Sequence, residues 1–340
     1  MITASYIISG AKVKYYFEQS IKGLDSYCGR DKTIVITDRN VFQHYASFLE
    51  ARKVIILEPG EGSKQLSTVE YIISRFIEMG VTKDYFIIGM GGGVVTDITG
   101  FVASVYMRGL KFSFIPTSLL AMVDAALGGK NGVNSGMHKN MIGVTAQPRW
   151  IIFDRTVLYT LPHEECVNGF AEIIKYAAVF DESLFRLLEQ HSLDEFRDKH
   201  YLTARLLYIC THIKTLIVER DVHDAGERRL LNFGHTLGHA IEKITEIPHG
   251  KAVAAGMAFA AQLSEQLTGF PERERLVRLM EKFELNPQLA YNKEKALELV
   301  QLDKKRTSDH IHFILLEKIG RGIIQPIPLN MLEAMILQSS

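Results

Sequence analysis

The chain has few cysteines and no excess of charge of either sign, and each shortage excludes a class of protein. Cys28, Cys166 and Cys210 are its three cysteines, and they lack the paired spacing of a thiolate zinc site. We expect buried free thiols in a reducing compartment. Lys plus Arg and Asp plus Glu both number 39, so no overall field attracts nucleic acid or an anionic membrane. Affinity for an anionic ligand must come from a local cluster of basic groups.

Long hydrophobic runs are also absent. No stretch reaches the roughly eighteen consecutive apolar residues that indicate a membrane span. The first residues, MITASYIISG, lack a charged leader followed by a long apolar core. We therefore expect a cytoplasmic protein with no nucleic-acid and no membrane partner.

The length of 340 residues predicts two domains sharing a cleft, because one hydrophobic core rarely grows that large. Up to about residue 155, short β-branched runs alternate with helix-period segments, which is typical of βαβ units around a parallel sheet. The strand candidates are residues 33–38, 53–58, 85–90, 112–117 and 150–154.

The second half changes to long amphipathic segments, which predicts a helical domain. The candidate helices are residues 164–179, 201–220, 235–245, 251–267 and 272–283. A last strand-like pair, IHFILLEKIG and GIIQPIP, can form a hairpin or rejoin the sheet.

A glycine turn marks one candidate site. The strand YFIIGM runs into Gly91, Gly92 and Gly93 and then into a helical segment, VVTDITGFVASVYMRG. Such a turn lets backbone approach a diphosphate, and the helix start offers free N–H groups. The spacing is not GxGxxG, so a plain tight turn is the alternative. Asp38 and Asn40 follow an earlier strand, where ribose hydroxyls bind in α/β sheets, although these residue types also make turns.

Histidines and a glutamate mark a second candidate site. His235 and His239 are four residues apart and face one side of a helix, and His249 follows in a Pro-His-Gly segment. Upstream, Glu172 and Lys175 are co-facial on an amphipathic run. One Glu with two His is a catalytic zinc set, whereas an isolated HxxxH more often only joins two helices. Spacing alone nominates His235 and His239 as the imidazole ligands.

Basic residues are a third signal. Lys130 and Lys139 lie in GGKNGVNSGMHKN, a segment with neither helical nor strand period. A substrate with both phosphate and carboxylate needs several such groups, since Arg gives a bidentate grip and Lys a point charge. For any single basic residue, a solvated surface charge is the simpler interpretation.

From about Asp38 to its end, the chain resembles the dehydroquinate synthase family. The motifs that carry the resemblance are GGGVVTDITGFVASVYMRG, FIPTSLLAMVDAALGGKNGVN, KNMIG, LPHEECVNGFAEIIKY, LNFGHTLGHAIE, HGKAVAAGM and DKK. It implies an N-terminal Rossmann-like α/β domain that binds NAD through a parallel sheet, at residues 1–158. It also implies an all-helical metal and substrate domain at residues 159–340, and a homodimer.

Site residues follow motif by motif from the same resemblance. Zinc, or cobalt in its place, would be held by Glu172, His235 and His249, so the family and the spacing argument disagree on one histidine. NAD would be met by Asp38, Asn40, Glu61, Lys64, Gly92, Gly93, Val94, Asp97, Thr117, Ser118, Lys139, Thr160, Leu161 and Glu165. The substrate pocket would draw on Asp124, Lys130, Asn140, Lys175, Lys214, Arg228, Asn232, His239 and one of Lys304 and Lys305. Thr96, Asn131 and Lys251 depart from the family pattern.

The implied reaction converts 3-deoxy-D-arabino-heptulosonate 7-phosphate to 3-dehydroquinate and phosphate, a step of the shikimate pathway. It combines transient oxidation by NAD, β-elimination of phosphate, re-reduction and an intramolecular aldol closure. His239 is the candidate proton shuttle. The rival interpretations are a cyclase acting on sugar phosphates without a carboxylate, a metal-dependent polyol dehydrogenase of the glycerol dehydrogenase type, and an inactive scaffold protein.

Overall fold

A computed structural model describes residues 2–136, 138–301, 306–307 and 309–338, and the chain divides into two compact units. The first unit comprises Met1–Pro162 and His200–Val222, and the second comprises His163–Lys199 and His223–Ser340. Lys304 and Lys305 lie outside the described residues. None of the helices in the described part of the chain combines the length and the apolar character needed to cross a bilayer.

A seven-stranded sheet forms the centre of the first unit. Numbered along the chain, the strands of this unit are β1 (Ile2–Ile8), β2 (Ala11–Phe17), β3 (Thr33–Asp38), β4 (Lys53–Leu57), β5 (Phe86–Gly91), β6 (Lys111–Pro116), β7 (Lys130–Ser135), β8 (His138–Thr145) and β9 (Trp150–Phe153). The order in the sheet is β1-β2-β9-β6-β5-β3-β4, and all neighbours except β1 and β2 are parallel. The five predicted strands are confirmed. Ile34, Val35 and Ile36 are fully buried, as expected for a strand covered on both faces.

Three helices connect strands of the first unit: α1 (Arg39–Leu49), α2 (Leu66–Glu78) and α3 (Gly93–Val105). A fourth helix of this unit, α7 (His200–Arg220), comes from later in the chain. The sequence placed α7 in the second domain, whereas the structure groups it with the first. α7 contacts β1 and the 121–125 turn, and the Tyr15 hydroxyl lies 3.0 Å from Thr215 Oγ1. The spacing of its apolar residues predicted that α7 is a helix, but not which part of the protein it packs against.

One sequence interpretation of the first unit is wrong. Residues 128–140 showed no strand period, yet β7 and β8 pair as an antiparallel hairpin in which Gly132 faces Gly143. The side chains of β8 are largely exposed. Backbone hydrogen bonds form this ladder, so it needs no alternation of apolar and polar side chains.

The second unit is mainly helical. Its helices are α4 (His163–Phe180), α5 (Glu182–Gln190), α6 (Leu193–Asp198), α8 (His235–Thr245), α9 (His249–Leu267), α10 (Arg273–Lys282), α11 (Lys293–Gln301) and α12 (Leu329–Gln338). It also contains a three-stranded antiparallel sheet of β10 (Arg306–Thr307), β11 (His310–Lys318) and β12 (Arg321–Pro328). The terminal strand pair is therefore a hairpin and does not rejoin the large sheet.

Strand order also locates a binding edge in the first unit. The chain leaves β3 toward β4 on one side, and leaves β5 toward β6 on the other. The two connections diverge after adjacent parallel strands, which is the topological switch point where α/β sheets bind ligands beyond the carboxyl ends. Asp38 and Gly91 end these two strands.

Candidate metal centre and nucleotide-binding edge

Helix α4 carries a carboxylate and an ammonium group into the interior of the second unit. Its residues from Cys166 to Val179 are all buried. The side chain of Glu172 is fully buried and that of Lys175 is 2% exposed, and Lys175 Nζ donates to Glu172 Oε2. Burying two charges costs more than their attraction returns unless further partners satisfy them.

Two histidines begin the neighbouring helices. His235 is the first residue of α8, and His249 is the first residue of α9. Gly234 precedes His235 with a φ of +78°, and a Cβ at Gly234 would stand 2.8 Å from the carbonyl oxygen of Val253. Only glycine combines that left-handed backbone with so close an approach, so it sets the direction in which α8 starts.

The side chains of Glu172, His235 and His249 converge. Glu172 Oε1 lies 3.3 Å from His235 Nε2 and 3.4 Å from His249 Nε2, and the three ligand atoms lie within 4.8 Å of one another. Oε1 is buried, and apart from these two nearby ring nitrogens it has no polar partner among the described residues. A carboxylate oxygen and two imidazole nitrogens grouped in this way are the donors that a divalent zinc or cobalt ion takes.

The surroundings favour a charged carboxylate at Glu172 and a neutral imidazole at His235, the forms that bind a metal ion. Burial acts to raise the pKa of Glu172, but Lys175 and His235 outweigh it and hold that pKa well below its usual value. Burial lowers the pKa of His235, and Glu172 offsets only part of that shift. Burial also acts to lower the pKa of His249, but the neighbouring carboxylates of Glu172 and Glu242 raise it to about 9. A bound cation would therefore displace a proton from His249.

His239 lies beside this group without joining it. Its ring centroid is 5.0 Å from that of His235 and 5.9 Å from that of His249. Its side chain is exposed, and its ligand atoms group with Glu242 and His249. The structure thus brings His235 and His249, rather than His235 and His239, to Glu172.

Other substrate-pocket candidates of the second unit lie in the segment before α8. Arg228 is 3% exposed, and Asn232 donates through Nδ2 to the carbonyl oxygen of Arg229 at 3.1 Å. Both belong to a short 3₁₀ helix, Glu227–Asn232. A nearly buried guanidinium is suited to a bidentate contact with an anionic group.

The glycine turn stands at the switch point of the first unit. Gly92 caps α3, and no side chain among the described residues caps the first turn, so its N–H groups can meet an anion. A Cβ at Gly91 would lie 2.5 Å from Val95 Cβ, and one at Gly93 would lie 3.1 Å from Ala125 Cβ. Val94 is in the first turn of α3, and Thr117 donates its N–H to the Gly91 carbonyl at 2.9 Å.

Asp38 serves the local structure as well. Its Oδ1 accepts the N–H of Val41 at 3.0 Å, so it is the N-cap of α1, within which Asn40 is exposed. Ser118 Oγ accepts the N–H of Ala121 at 3.2 Å. These positions place polar atoms beyond the carboxyl ends of β3 and β6, where a nucleotide binds in such sheets.

A partly buried ion pair lies next to the glycine turn. Lys64 Nζ is 2.5 Å from Asp97 Oδ2, with side chains 7% and 16% exposed. Burial raises the pKa of the Asp97 carboxyl to about 6, although Lys64 opposes the shift. Glu61 Oε1 accepts from Asn134 Nδ2 at 2.8 Å, which ties the segment before α2 to β7.

Asp124 and Lys214, both predicted in the substrate pocket, are in contact. Lys214 Nζ donates to Asp124 Oδ1 at 2.6 Å and to the Asp124 carbonyl at 2.7 Å. The hairpin candidates Lys130, Lys139 and Asn140 are exposed. Asn140 has a φ of +54°, and its N–H donates to Asn134 Oδ1 at 2.9 Å.

The remaining nucleotide candidates lie around the junction that leads into α4. Thr160 donates through Oγ1 to the Val157 carbonyl at 3.1 Å, and Leu161 follows it. Glu165 is exposed in the first turn of α4, in the second unit, where its Oε2 accepts from Asn168 at 3.4 Å.

Two departures from the family pattern have a structural explanation. Thr96 Oγ1 donates to the Gly93 carbonyl at 3.0 Å, which satisfies a group inside α3. Asn131 donates through Nδ2 to the carbonyls of Gly129 and Ala146, at 2.8 and 2.9 Å, and so closes the base of the hairpin.

Sequence reasoning missed two residues that contact the metal-binding candidates. Glu242 Oε2 lies 3.3 Å from His249 Nδ1, and Asn168 Oδ1 accepts the N–H of Gly250. Glu242 sits at the end of the HxxxHxxE pattern, and Asn168 is one helical turn before Glu172. That spacing was visible, but their proximity to His249 was not.

The family comparison agrees with this geometry. Residues 54–168 match the family model described as 3-dehydroquinate synthase N-terminal, and residues 169–306 match that described as 3-dehydroquinate synthase C-terminal. A 3-dehydroquinate synthase of Pyrococcus abyssi is 42% identical over 288 residues, covering 84% of this chain and 83% of that one. That of Dichelobacter nodosus is 41% identical over 309 residues, covering 87% and 84%.

Solved structures are similar over nearly the whole chain. A 2-deoxy-scyllo-inosose synthase complexed with carbaglucose-6-phosphate, NAD+ and Co2+ is 26% identical with a TM-score of 0.86, covering 98% of this chain and 99% of that one. A 2-epi-5-epi-valiolone synthase of Streptomyces hygroscopicus with NAD+ and Zn2+ bound is also 26% identical with a TM-score of 0.86, covering 95% of each. Given both family-model matches and these relatives, the chain belongs to the 3-dehydroquinate synthase family.

Proposed function

We propose that the chain is a 3-dehydroquinate synthase, a lyase that uses NAD+ and a divalent cation to convert 3-deoxy-D-arabino-heptulosonate 7-phosphate to 3-dehydroquinate and phosphate. The observation that carries the proposal is the convergence of Glu172, His235 and His249 beside the buried Lys175. Curated relatives at 36–42% identity bear this activity as their name. The product is a precursor in aromatic biosynthesis.

The cofactor sites are part of this proposal. Glu172, His235 and His249 would hold zinc or cobalt, and the turn at Gly92 would receive the diphosphate of NAD+ at the start of α3. Two solved relatives contain NAD+ together with Co2+ or Zn2+. When bound, the two groups would supply reversible oxidation of a secondary alcohol and polarisation of its oxygen.

Residues of the chain would bind and orient the substrate. Arg228 suits a planar, bidentate contact with carboxylate or phosphate, and Lys130 and Lys175 supply point charges. Most of the catalytic effect would come from holding one flexible, doubly anionic molecule in a reactive geometry. The leaving phosphate would accept the proton in its own elimination, and His239, exposed beside the other two imidazoles, would exchange protons with a substrate hydroxyl.

One other function, that of a related sugar phosphate cyclase, has some support. The similar solved structures include a cyclase whose ligand, carbaglucose-6-phosphate, is a sugar phosphate analogue, at 26% identity. A glycerol dehydrogenase neighbour, at 16% identity and a TM-score of 0.62, indicates the shared fold alone. The higher identity of the curated synthases favours the carboxylated substrate.

One assay separates these functions. The purified protein, with zinc and NAD+, is mixed with the heptulosonate phosphate, and inorganic phosphate is followed together with absorbance at the NADH band. We expect release of phosphate without accumulation of NADH. Accumulating NADH without phosphate would instead indicate a dehydrogenase.

Two controls sharpen the assay. A heptulose phosphate that lacks the carboxylate should release little phosphate, and efficient turnover of it would favour the other cyclases. Glu172→Gln, which removes the charge of one proposed ligand, should lose the activity.

A further inference from the structure

The two imidazoles that face Glu172 are each held at their other nitrogen. His235 Nδ1 lies 3.1 Å from the carbonyl oxygen of Phe233, and His249 Nδ1 lies 3.3 Å from Glu242 Oε2. In a neutral imidazole, an acceptor at Nδ1 keeps the ring proton on that nitrogen, so Nε2 is the nitrogen left with a lone pair for a cation. In both rings Nε2 is the atom next to Glu172 Oε1.

The two groups that accept from Nδ1 differ in charge, and only the one at His249 is a carboxylate. A backbone carbonyl fixes the ring of His235, whereas a carboxylate does so for His249. A carboxylate that accepts from a ligating imidazole fixes its tautomer and orientation, and it increases the basicity of the nitrogen that binds the metal. We propose that Glu242 is a positioning residue, which holds the imidazole of His249 with its Nε2 directed at the cation.

The fold explains why Glu242 can reach His249. Glu242 lies seven residues after His235 on α8, so both project from one face of that helix. α8 packs against α9, whose first residue is His249. The side chain of Glu242 is only 11% exposed, and a carboxylate at that depth needs a charged or hydrogen-bonding partner.

A second contact fixes the backbone but not the ring. Asn168, one turn before Glu172 on α4, accepts the N–H of Gly250 through Oδ1. This bond anchors the start of α9 to the helix that carries Glu172. It does not touch the imidazole of His249, whose orientation depends on contacts made by the ring itself, at Nε2 and at Nδ1. Glu242 makes the contact at Nδ1.

The inference uses the metal ligands of the proposed function and is tested by zinc binding in the absence of substrate. Zinc affinity is measured by competition with a chelating dye for the wild type, Glu242→Ala and Glu242→Gln. Glu242→Ala should weaken zinc binding by roughly tenfold to a hundredfold, the usual cost of losing such a partner. Glu242→Gln should lose less, because an amide oxygen still accepts from Nδ1 but carries no charge.

Glu246→Gln is the matched control. Glu246 is exposed at the end of the same helix, one turn beyond Glu242. The control should bind zinc like the wild type. Cobalt-loaded protein adds a second measurement, since the visible ligand-field bands of Co2+ should shift in Glu242→Ala and remain unchanged in Glu246→Gln. Thermal unfolding of the metal-free variants separates positioning from a purely structural role.

Several outcomes would overturn the inference. Unchanged zinc affinity in Glu242→Ala would overturn it. That holds even if the metal-free variant is less stable than the wild type, because Glu242 would then have only a structural role. Loss of a second equivalent of zinc, with the first bound as before, would instead make Glu242 a ligand of another cation, held with His239 and His249, whose ligand atoms also lie within 4.8 Å of one another. If the wild type bound no zinc, the proposed metal centre would fail as well.

Discussion

Lys175 donates to one carboxylate oxygen of Glu172, and the other oxygen faces two imidazoles. The side chains of the pair are 2% and 0% exposed, so both charges are almost wholly removed from water. A buried ion pair adds little stability compared with apolar residues of the same volume. Its presence in the interior of α4 therefore indicates a function for the carboxylate, which the proposed metal centre supplies.

Removing Lys175 should lower the free energy of unfolding, because it leaves the buried Glu172 carboxylate without its positive partner. Lys175→Met leaves Glu172 without its ammonium partner, and we expect the metal-free protein to lose about 3 kcal/mol of unfolding free energy. Urea denaturation in the presence of a chelator measures this loss. The double variant Glu172→Gln with Lys175→Met removes both charges and should recover much of the stability. Equal losses in the single and double variants would show that the pair does not behave as a buried ion pair.

The proposed ligand set predicts which histidines retain metal. His235→Ala and His249→Ala should each lose bound zinc, because the remaining two donors cannot complete the site. His239→Ala should keep its zinc and lose turnover. Metal content after dialysis, measured by atomic emission, tests all three variants. Stoichiometric zinc in His235→Ala or His249→Ala would contradict the set, and loss of zinc from His239→Ala would favour the helical-spacing argument.

A substitution in the glycine turn should weaken NAD+ binding without disturbing folding. Gly92 has a φ of −72°, and a Cβ there would lie 3.5 Å from Ser118 Oγ, which is an ordinary contact. Gly92→Ala should therefore fold normally, yet its methyl group would stand where a diphosphate approaches the backbone. We expect NAD+ affinity to fall by at least about tenfold, or ~1.4 kcal/mol, in a calorimetric titration.

Two comparisons control the experiment at Gly92. Gly29→Ala, where a Cβ would meet nothing within 4 Å, should leave NAD+ binding unchanged. Gly91→Ala would place its Cβ 2.5 Å from that of Val95, and should cost about 1–3 kcal/mol of stability. Wild-type NAD+ affinity in Gly92→Ala would remove the turn from the proposed nucleotide site.

Asp97 predicts a pH dependence of stability. Burial raises its folded-state pKa from 3.8 to about 6, so the folded protein holds a proton that the unfolded chain releases at lower pH. This contribution to stability is complete below pH 4 and is lost as the pH rises through about 6. The free energy of unfolding of the wild type, relative to Asp97→Asn, should therefore fall between pH 4 and pH 6.

Urea denaturation at several pH values measures that difference. Asp84→Asn is the matched control, because the hydrogen bond from Lys32 lowers the pKa of Asp84 to about 2. The contribution of Asp84 to stability is present above about pH 4 and is lost only as the pH falls through about 2. The free energy of unfolding of the wild type, relative to Asp84→Asn, should therefore be constant from pH 4 to pH 6. A flat profile for Asp97→Asn would show that burial does not raise the pKa of Asp97.

Local features of the chain could be predicted because their physical causes are local. Residues 33–38 and 85–90 are apolar, β-branched runs bounded by turn residues, and such runs form strands that are buried on both faces. The glycine turn after β5 and the helix that begins at His235 likewise depend on neighbouring residues. Family motifs added Glu172, His235 and His249 as a set.

Other features depend on packing between distant segments. The helical period of residues 201–220 is the same whichever unit the helix covers, so its grouping with the first unit could not be read from it. Spacing on one helix favoured His235 and His239, because the position of α9 against α4 and α8 does not enter that argument. The contact of Glu242 with His249 has the same origin.

By itself, the sequence determined the two-part organisation, the parallel strands and the inventory of acidic, imidazole and basic groups, since composition and periodicity act over a few residues. Only the tertiary structure decided which imidazoles face the Glu172 carboxylate, which side chains hold them, and that the glycine-rich segment pairs as a hairpin. Those outcomes depend on contacts between segments far apart in the chain, where directed hydrogen bonds and close packing select one arrangement among several that the same local pattern allows.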